Sequence, residues 1–351
     1  MMVIYILAYI VLGLVSIYLI LLIMGLYLLK KGPLAFDEVS LEDDGGNYVE
    51  TDDRRKVEYF VFGNLESQSK VVICMHGSGP EAMSELALNE KCCKELGLKG
   101  IAISLPGYGY TDMNPGRKVV DWPKEDLSAV LKKEKVDKFM IIGHSQGTAH
   151  AMAAAYCYPE RCEGFGLNAP FLPSSISKEE GVVSAIGSGS LPNTETIEKF
   201  YMAWYFAVMH LSLVTFSPWF PMKAMKMPST NATYKIMQDT LKRAVVRGSV
   251  GGTYETAHDV CYDWGFDPRE IKNDNICIWH ASDDKLCPLE IGKWLRDYYQ
   301  NKLGVKVNFR SDDLGFGHFT YKQGEFLEPE QSMIKALLKG RNKRKPISNN
   351  I

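Results

Sequence analysis

Phe139-Met-Ile-Ile-Gly143-His144-Ser145-Gln146-Gly147-Thr148 joins a short apolar run to an Ala-rich, helix-prone stretch, Gln146–Tyr158. A serine with glycine two positions before it and two after, at a strand-to-helix turn, is the pattern of a nucleophile elbow. The turn is so tight that positions 143 and 147 have no room for a side chain, and both are glycine. The Ser145 hydroxyl is thereby lifted clear, and the helix that follows points its N-terminus at developing negative charge. The competing reading is a tight turn that carries an inert serine.

A second glycine-rich turn, His76-Gly77-Ser78-Gly79-Pro80, directly follows the apolar run Val71–Met75. Acyl transfer builds an oxyanion, and backbone N–H groups must be waiting for it. The N–H groups of Ser78 and of Gln146, the residue after the serine, are the expected donors. A plain glycine turn is the alternative. Further apolar runs at Ile101–Leu105, Phe165–Leu167, Ile276–Trp279 and Val305–Phe309 read as strands buried on both faces. Helical patterns at Glu81–Leu96, Lys124–Lys133, Leu289–Gln300 and Phe326–Leu338 lie between or after them. This alternation predicts an α/β fold with a doubly wound, mostly parallel sheet.

The chain of 351 residues is long enough for one large α/β domain with an insertion. Its 40 basic and 42 acidic residues nearly balance, which argues against a nucleic-acid partner. Eight scattered cysteines, two of them adjacent at Cys92 and Cys93, show no metal-type spacing. That usage fits a reducing compartment.

Val3–Leu29 holds no charged residue, and as a helix at about 1.5 Å per residue it reaches about 40 Å. A bilayer core is about 30 Å thick, so residues 1–31 read as a transmembrane anchor with 3–29 in the membrane. A cleaved signal peptide would need a basic start and a small-residue cleavage site, and the sequence offers neither. Lys30 and Lys31 place the remainder in the cytosol by the positive-inside rule, whereas Asn231-Ala-Thr, a glycosylation sequon, would matter only on the lumenal side. Residues 32–56 read as a linker and 57–338 as the main domain. Strand–helix alternation breaks over 173–263, where Phe200–Phe220 is apolar and aromatic apart from His210. A helical cap is expected there, since Pro218 and Pro221 interrupt any second span. The tail, 339–351, is basic and suited to an anionic lipid surface.

Several stretches occur together in order: His76-Gly-Ser-Gly79; Ser104-Leu-Pro-Gly-Tyr-Gly-Tyr-Thr111; Val136-Asp137 leading to Gly143-His-Ser145-Gln-Gly147; His280-Ala-Ser-Asp-Asp284 with Pro288; and Gly315-Phe-Gly-His318-Phe. With them the chain, from Val57 to Leu338, resembles the α/β-hydrolase superfamily, in the serine hydrolase branch with a helical cap between the sixth and seventh strands. Two departures stand out. Ser104 and Thr111 replace the family's usual Asp and Ser, and Thr148 replaces a second glycine after the elbow.

The resemblance implies the chain order serine, acid, histidine. Family spacing selects Asp284 as the acid, with Asp283 and Asp263 as alternatives. The Asp of the pair that is not used would be a solvated turn residue. Of the seven histidines, His318 is the expected base; His76, His144, His150 and His258 are expected to pack or to bond locally. Catalysis by Ser145, Asp284 and His318 calls for no cofactor and no metal. A serine nucleophile disfavours epoxide hydrolase and dehalogenase chemistry, because relatives with those activities use Asp there. The expected activity is hydrolysis of carboxylic or thio esters with lipid-like or small hydrophobic acyl groups, at a membrane. A peptidase, a carbon–carbon hydrolase or a non-catalytic scaffold are the alternatives.

Overall fold

The computed structural model describes residues 2–31, 35–66, 69–79, 81–182, 232–247 and 259–341, together with 200, 203–204, 207–208 and 211. Readings that rest on Pro80, His210, Asn231, His258, most of Phe200–Phe220 and the tail past Arg341 fall outside these described residues.

The apolar runs form six neighbouring strands of an eight-stranded sheet, reaching one of its edges. Its strands are β1 Asn47–Glu50, β2 Lys56–Gly63, β3 Lys70–Met75, β4 Leu98–Ile103, β5 Phe139–His144, β6 Cys162–Asn168, β7 Ile276–Trp279 and β8 Val307–Arg310. The spatial order is β1-β2-β4-β3-β5-β6-β7-β8. β2 runs antiparallel to both β1 and β4, and every other pairing is parallel. β1 lies within the stretch read as a linker, where it borders β2. The helices are α1 Met2–Lys31, α2 Glu38–Asp43, α3 Ala82–Glu95, α4 Ser128–Lys133, α5 Gly147–Cys157, α6 Ser174–Glu179, α7 Ala232–Val246, α8 Leu289–Asn301 and α9 Met333–Arg341. α6 and α7 belong to the insertion between β6 and β7.

Alternate strand residues feed two cores, as a period of two requires. Ile73, Met75, Phe139 and Ile141 pack with side chains from α4, α5 and α8. Val72, Cys74, Met140 and Ile142 pack with Cys92 and Cys93 of α3 and with Ile334 and Leu337 of α9. The helix after the elbow is buried from Gly147 to Ala155, and its run of alanines lets it lie close over the sheet.

Several elements differ from expectation in their bounds: β6 begins at Cys162 rather than Phe165, β8 is the edge strand Val307–Arg310 rather than 305–309, and α4 begins at Ser128 after a π-helical turn over Pro123–Leu127. β4 begins at Leu98 rather than Ile101, because Lys99 and Gly100 join the ladder opposite Gly63 and Phe62. The helix expected over Phe326–Leu338 starts only at Met333. Pro329 breaks the pattern into short 3-10 turns. Ser332 then caps the true helix, its Oγ accepting from Lys335 N at 3.1 Å.

β3 has its sequence successors β4 and β5 on opposite sides, so the chain reverses direction across the sheet there. Ligand sites of open α/β sheets form at such a switch point, beyond the carboxyl ends of the strands. His76, Ser145, His280 and Asp284 all lie past those ends.

Candidate active site

The elbow follows from its backbone. Ser145 has φ +53°, a left-handed conformation rare outside glycine. A Cβ at Gly143 would overlap the Gly147 carbonyl, and one at Gly147 would lie 2.5 Å from the His76 carbonyl. Both glycines are thus required by close backbone approach. The same packing brings the two glycine-rich turns together, since a Cβ at Gly77 would sit 3.1 Å from Ser145 Cβ. Ser78 is exposed on that turn. Gln146 caps the N-terminus of α5, and its side-chain amide donates to Tyr108 Oη at 3.2 Å. Its N–H belongs to the first turn of a helix, where donors lack intrahelical partners.

His318 and Asp284 meet across two loops. His318 Nδ1 donates to Asp284 Oδ2 at 2.8 Å, with both residues buried. The other carboxylate oxygen accepts from Leu286 N at 2.8 Å and Cys287 N at 2.9 Å. His280 Nε2 approaches Oδ2 at 3.5 Å while donating to the Cys287 carbonyl at 2.8 Å. Burial pushes the Asp284 carboxyl up, but the hydrogen bonds of His280 and His318 outweigh it and hold the group well below the usual carboxylate range. Asp284 is therefore an anion at neutral pH.

Three further residues brace this arrangement. His144, expected to bond locally, instead donates from Nε2 to the His318 carbonyl at 3.1 Å and lays its ring 4.8 Å from the His318 ring. Burial, with His318 beside it, drives its pKa well below the ordinary value, so it is neutral. The contact carries His318 to the residue adjoining Ser145. Asp283 is half-buried rather than a solvated turn residue, and its Oδ2 accepts from Gly317 N at 2.9 Å. Gly317 has φ +53°, which its lack of a Cβ permits, and it sets the turn that aims His318. Thr148 donates to the Ser145 carbonyl at 2.5 Å and accepts from Phe171 N at 3.1 Å. The departure from a second glycine thus supplies a brace for the elbow. The sequence signal was the hydroxyl itself, three residues after Ser145; its second partner, Phe171 N, lies too far along the chain to be inferred.

Ser104 and Thr111 close the neighbouring loop, Thr111 Oγ1 donating to the Ser104 carbonyl at 2.9 Å and accepting from Glu58 N at 3.0 Å. His76 accepts from Leu105 N at Nε2 (3.0 Å) and donates from Nδ1 to the Gly77 carbonyl (2.8 Å). Burial lowers its pKa to about 4, so it is a neutral structural link. His150 sits behind the elbow, edge-on to Trp122. Asp263, the alternative acid, is bound to Lys118 at 2.5 Å. Asp284, Cys287 and His318 present donor atoms within 4.8 Å of one another. Burial raises the Cys287 thiol well above its usual pKa, which makes it a poor metal ligand.

The alpha/beta hydrolase fold family matches residues 70–323. The chain belongs to that family. It is a hydrolase of this fold with an N-terminal apolar helix, whose length and mean hydropathy of 2.9 suit a membrane span or a signal sequence. A 2-hydroxy-6-oxononadienedioate/2-hydroxy-6-oxononatrienedioate hydrolase from Paraburkholderia phymatum is 24% identical over 249 residues, 66% of this chain and 76% of the relative. Among solved structures, an esterase from Rhodococcus sp. ECU1013 aligns with TM-score 0.53 and 17% identity, over 84% of this chain and 99% of the other. A membrane phospholipase A described as a bacterial virulence factor aligns with TM-score 0.55 and 14% identity, over 97% of this chain and 99% of the other.

Proposed function

We propose that this hydrolase is a membrane-anchored serine esterase that acts on carboxylic or thio esters with lipid-like or small hydrophobic acyl groups. The reading rests on one observation: the 2.8 Å His318–Asp284 pair, anchored through His144 to the turn that holds Ser145 at φ +53°.

With Nδ1–H given to Asp284, Nε2 of His318 is left to take the Ser145 proton as Oγ bonds to the acyl carbon. The oxyanion is received by the N–H groups of Ser78 and Gln146. The bond to the leaving alcohol or thiol then breaks, and His318 returns its proton to that group. Water, deprotonated by the same imidazole, releases the acid. Asp284 holds the tautomer and stabilises the imidazolium.

Residues 3–29 act as the anchor, residues 57–338 carry the hydrolase domain, and Lys30 and Lys31 keep that domain on the cytosolic face. The apolar, aromatic stretch of the insertion supports a lipophilic substrate, as does likeness to a protein titled a membrane phospholipase A. A fluorophosphonate probe tests the reading. Labelling that is lost in Ser145→Ala and falls sharply in His318→Ala is expected, and an unlabelled native protein overturns it. Carbon–carbon bond hydrolysis is the second reading, favoured by the curated relative named for an oxononadienedioate. Assaying such a dienedioate beside acyl esters of graded length separates the two.

A further inference from the structure

The two ends of α1 have different surroundings. Every residue from Met2 to Ile20 is exposed. Further on, Leu21 is partly covered and Gly25 and Leu28 are buried, while Ile23, Tyr27 and Lys30 on the other side stay exposed. Leu22, Met24, Leu26 and Leu29 are partly covered too, and the insertion meets this half of the helix at Gly25 and Tyr18. A Cβ at Gly25 would overlap the Ala203 carbonyl and lie 2.9 Å from Ala203 Cα. Tyr18 stacks on Trp204 with ring centroids 6.4 Å apart. Residues 203–204, 207–208 and 211 are helical, with Ala203 and Ala207 fully buried and Trp204, Val208 and Leu211 partly so. Two helices therefore cross with backbones nearly touching, at a glycine facing an alanine. Small residues give this approach between helices in lipid, where no hydrophobic force drives them together.

A second tie joins the insertion to the main domain. Asp44, just past α2, pairs with Arg243 of α7 and with Arg247 just beyond its end. Arg243 runs on to the buried carboxylates of Glu58, at 2.7 Å, and Glu81. Leu241 of α7 abuts the position a Cβ of Gly79 would take, at 2.8 Å. The insertion thus rests on α1 at one point and on the Ser78 turn at another.

We propose that α1 is a seat for the insertion as well as an anchor: the Gly25–Ala203 contact and the Tyr18–Trp204 stack hold the insertion against the span, partly inside the bilayer, so the site takes its acyl substrate from the membrane in preference to solution. This rests on the reading of α1 as a retained membrane anchor. Tyr27 lies one turn from Lys30, the depth at which aromatic side chains concentrate, whereas the Tyr18–Trp204 stack lies about 18 Å from Lys30 along the helix, inside the span.

The full chain is reconstituted in phosphatidylcholine vesicles and given two substrates, 4-methylumbelliferyl oleate in the bilayer and p-nitrophenyl acetate in solution. Gly25→Leu and Ala203→Leu are each expected to lower the oleate rate about tenfold and to leave the acetate rate within about twofold. Equal effects on both rates, or none on either, overturn the proposal. A benzophenone amino acid at position 18 is expected to cross-link to the peptide that contains Trp204, whereas one at position 5 reaches only lipid. Cross-linking of both positions to lipid alone overturns the seat while leaving the anchor intact. Intact mass of the membrane-extracted protein tests the anchor separately: a chain that lacks residues 2–31 ends that reading, and the seat with it, whatever Ser145 labelling shows.

Discussion

The turn that carries Ser145 and the loop that carries His318 are held by opposite means. The turn is local. Gly143, Gly147 and Thr148 lie within five residues of one another, and their contacts are with the turn's own backbone and with the chain at or just past the ends of β3 and β6. The loop is held from afar, by Asp284 and Asp283 after β7 and by His144 at the end of β5. Changes at the turn should therefore act through strain. Changes around the loop should act by releasing His318 from its partners in a protein that stays folded.

The largest expected effect is that of Ser145→Ala, which removes only the hydroxyl and leaves the turn's glycines and Thr148 in place. Its kcat for ester hydrolysis should fall by about 10⁶ with little change in melting temperature, unlike a change to the glycines that strains the turn. Next comes Asp284→Asn, which reverses the hydrogen-bond sense at Nδ1 and should cost about 10⁴ in kcat. A smaller effect is expected from pH. Because His76 titrates at about 4 when folded and near 6.5 when unfolded, the unfolded chain binds the extra proton between those values. Stability should therefore fall as pH drops through that window, by about 3 kcal/mol from His76. His144 and His150 add to the same trend. Glu81, which burial pushes up to about 7 against the pull of Arg243, opposes it. Urea melts from pH 7 to 4.5 would measure the slope, which should be shallower in His76→Gln.

Gly143→Ala forces a Cβ onto the Gly147 carbonyl and should destabilise by about 2 kcal/mol, read as a lowered urea midpoint. An unchanged midpoint would mean that the turn is not strained as described. The mildest change is Asp283→Ala, which frees Gly317 N–H and should reduce kcat about tenfold with KM unchanged. Asp283→Asn keeps an accepting oxygen and should recover most of the loss. If it does not, charge rather than loop position is what Asp283 contributes.

The sequence carried the strands, the elbow and the glycine-rich turn beside it, because each is written in adjacent residues. Apolar runs show burial, and paired glycines show where the backbone has no space. It also singled out Asp284 and His318 through spacing shared with a family. It did not carry the roles of His144, Asp283 and Thr148, because a lone His, Asp or Thr reveals a capacity for hydrogen bonding and not the distant partner that uses it. Helix-like patterning over Phe326–Leu338 misled for a related reason. One proline and one serine cap shifted the helix start to Met333, and local chemistry prevailed over periodicity.

By itself the sequence determined which groups are present and which segments are apolar: a serine in a glycine-hemmed turn, a late histidine, and an N-terminal stretch long enough to cross a bilayer. Only the tertiary structure decided that a carboxylate and an imidazole meet at 2.8 Å, that His144 joins His318 to the turn of Ser145, and that Gly25 lies against Ala203. Local patterns reflect the free energy of burying or bending one segment. Contacts between distant segments depend on how the sheet orders its strands, and that order exists only once the chain has closed on itself.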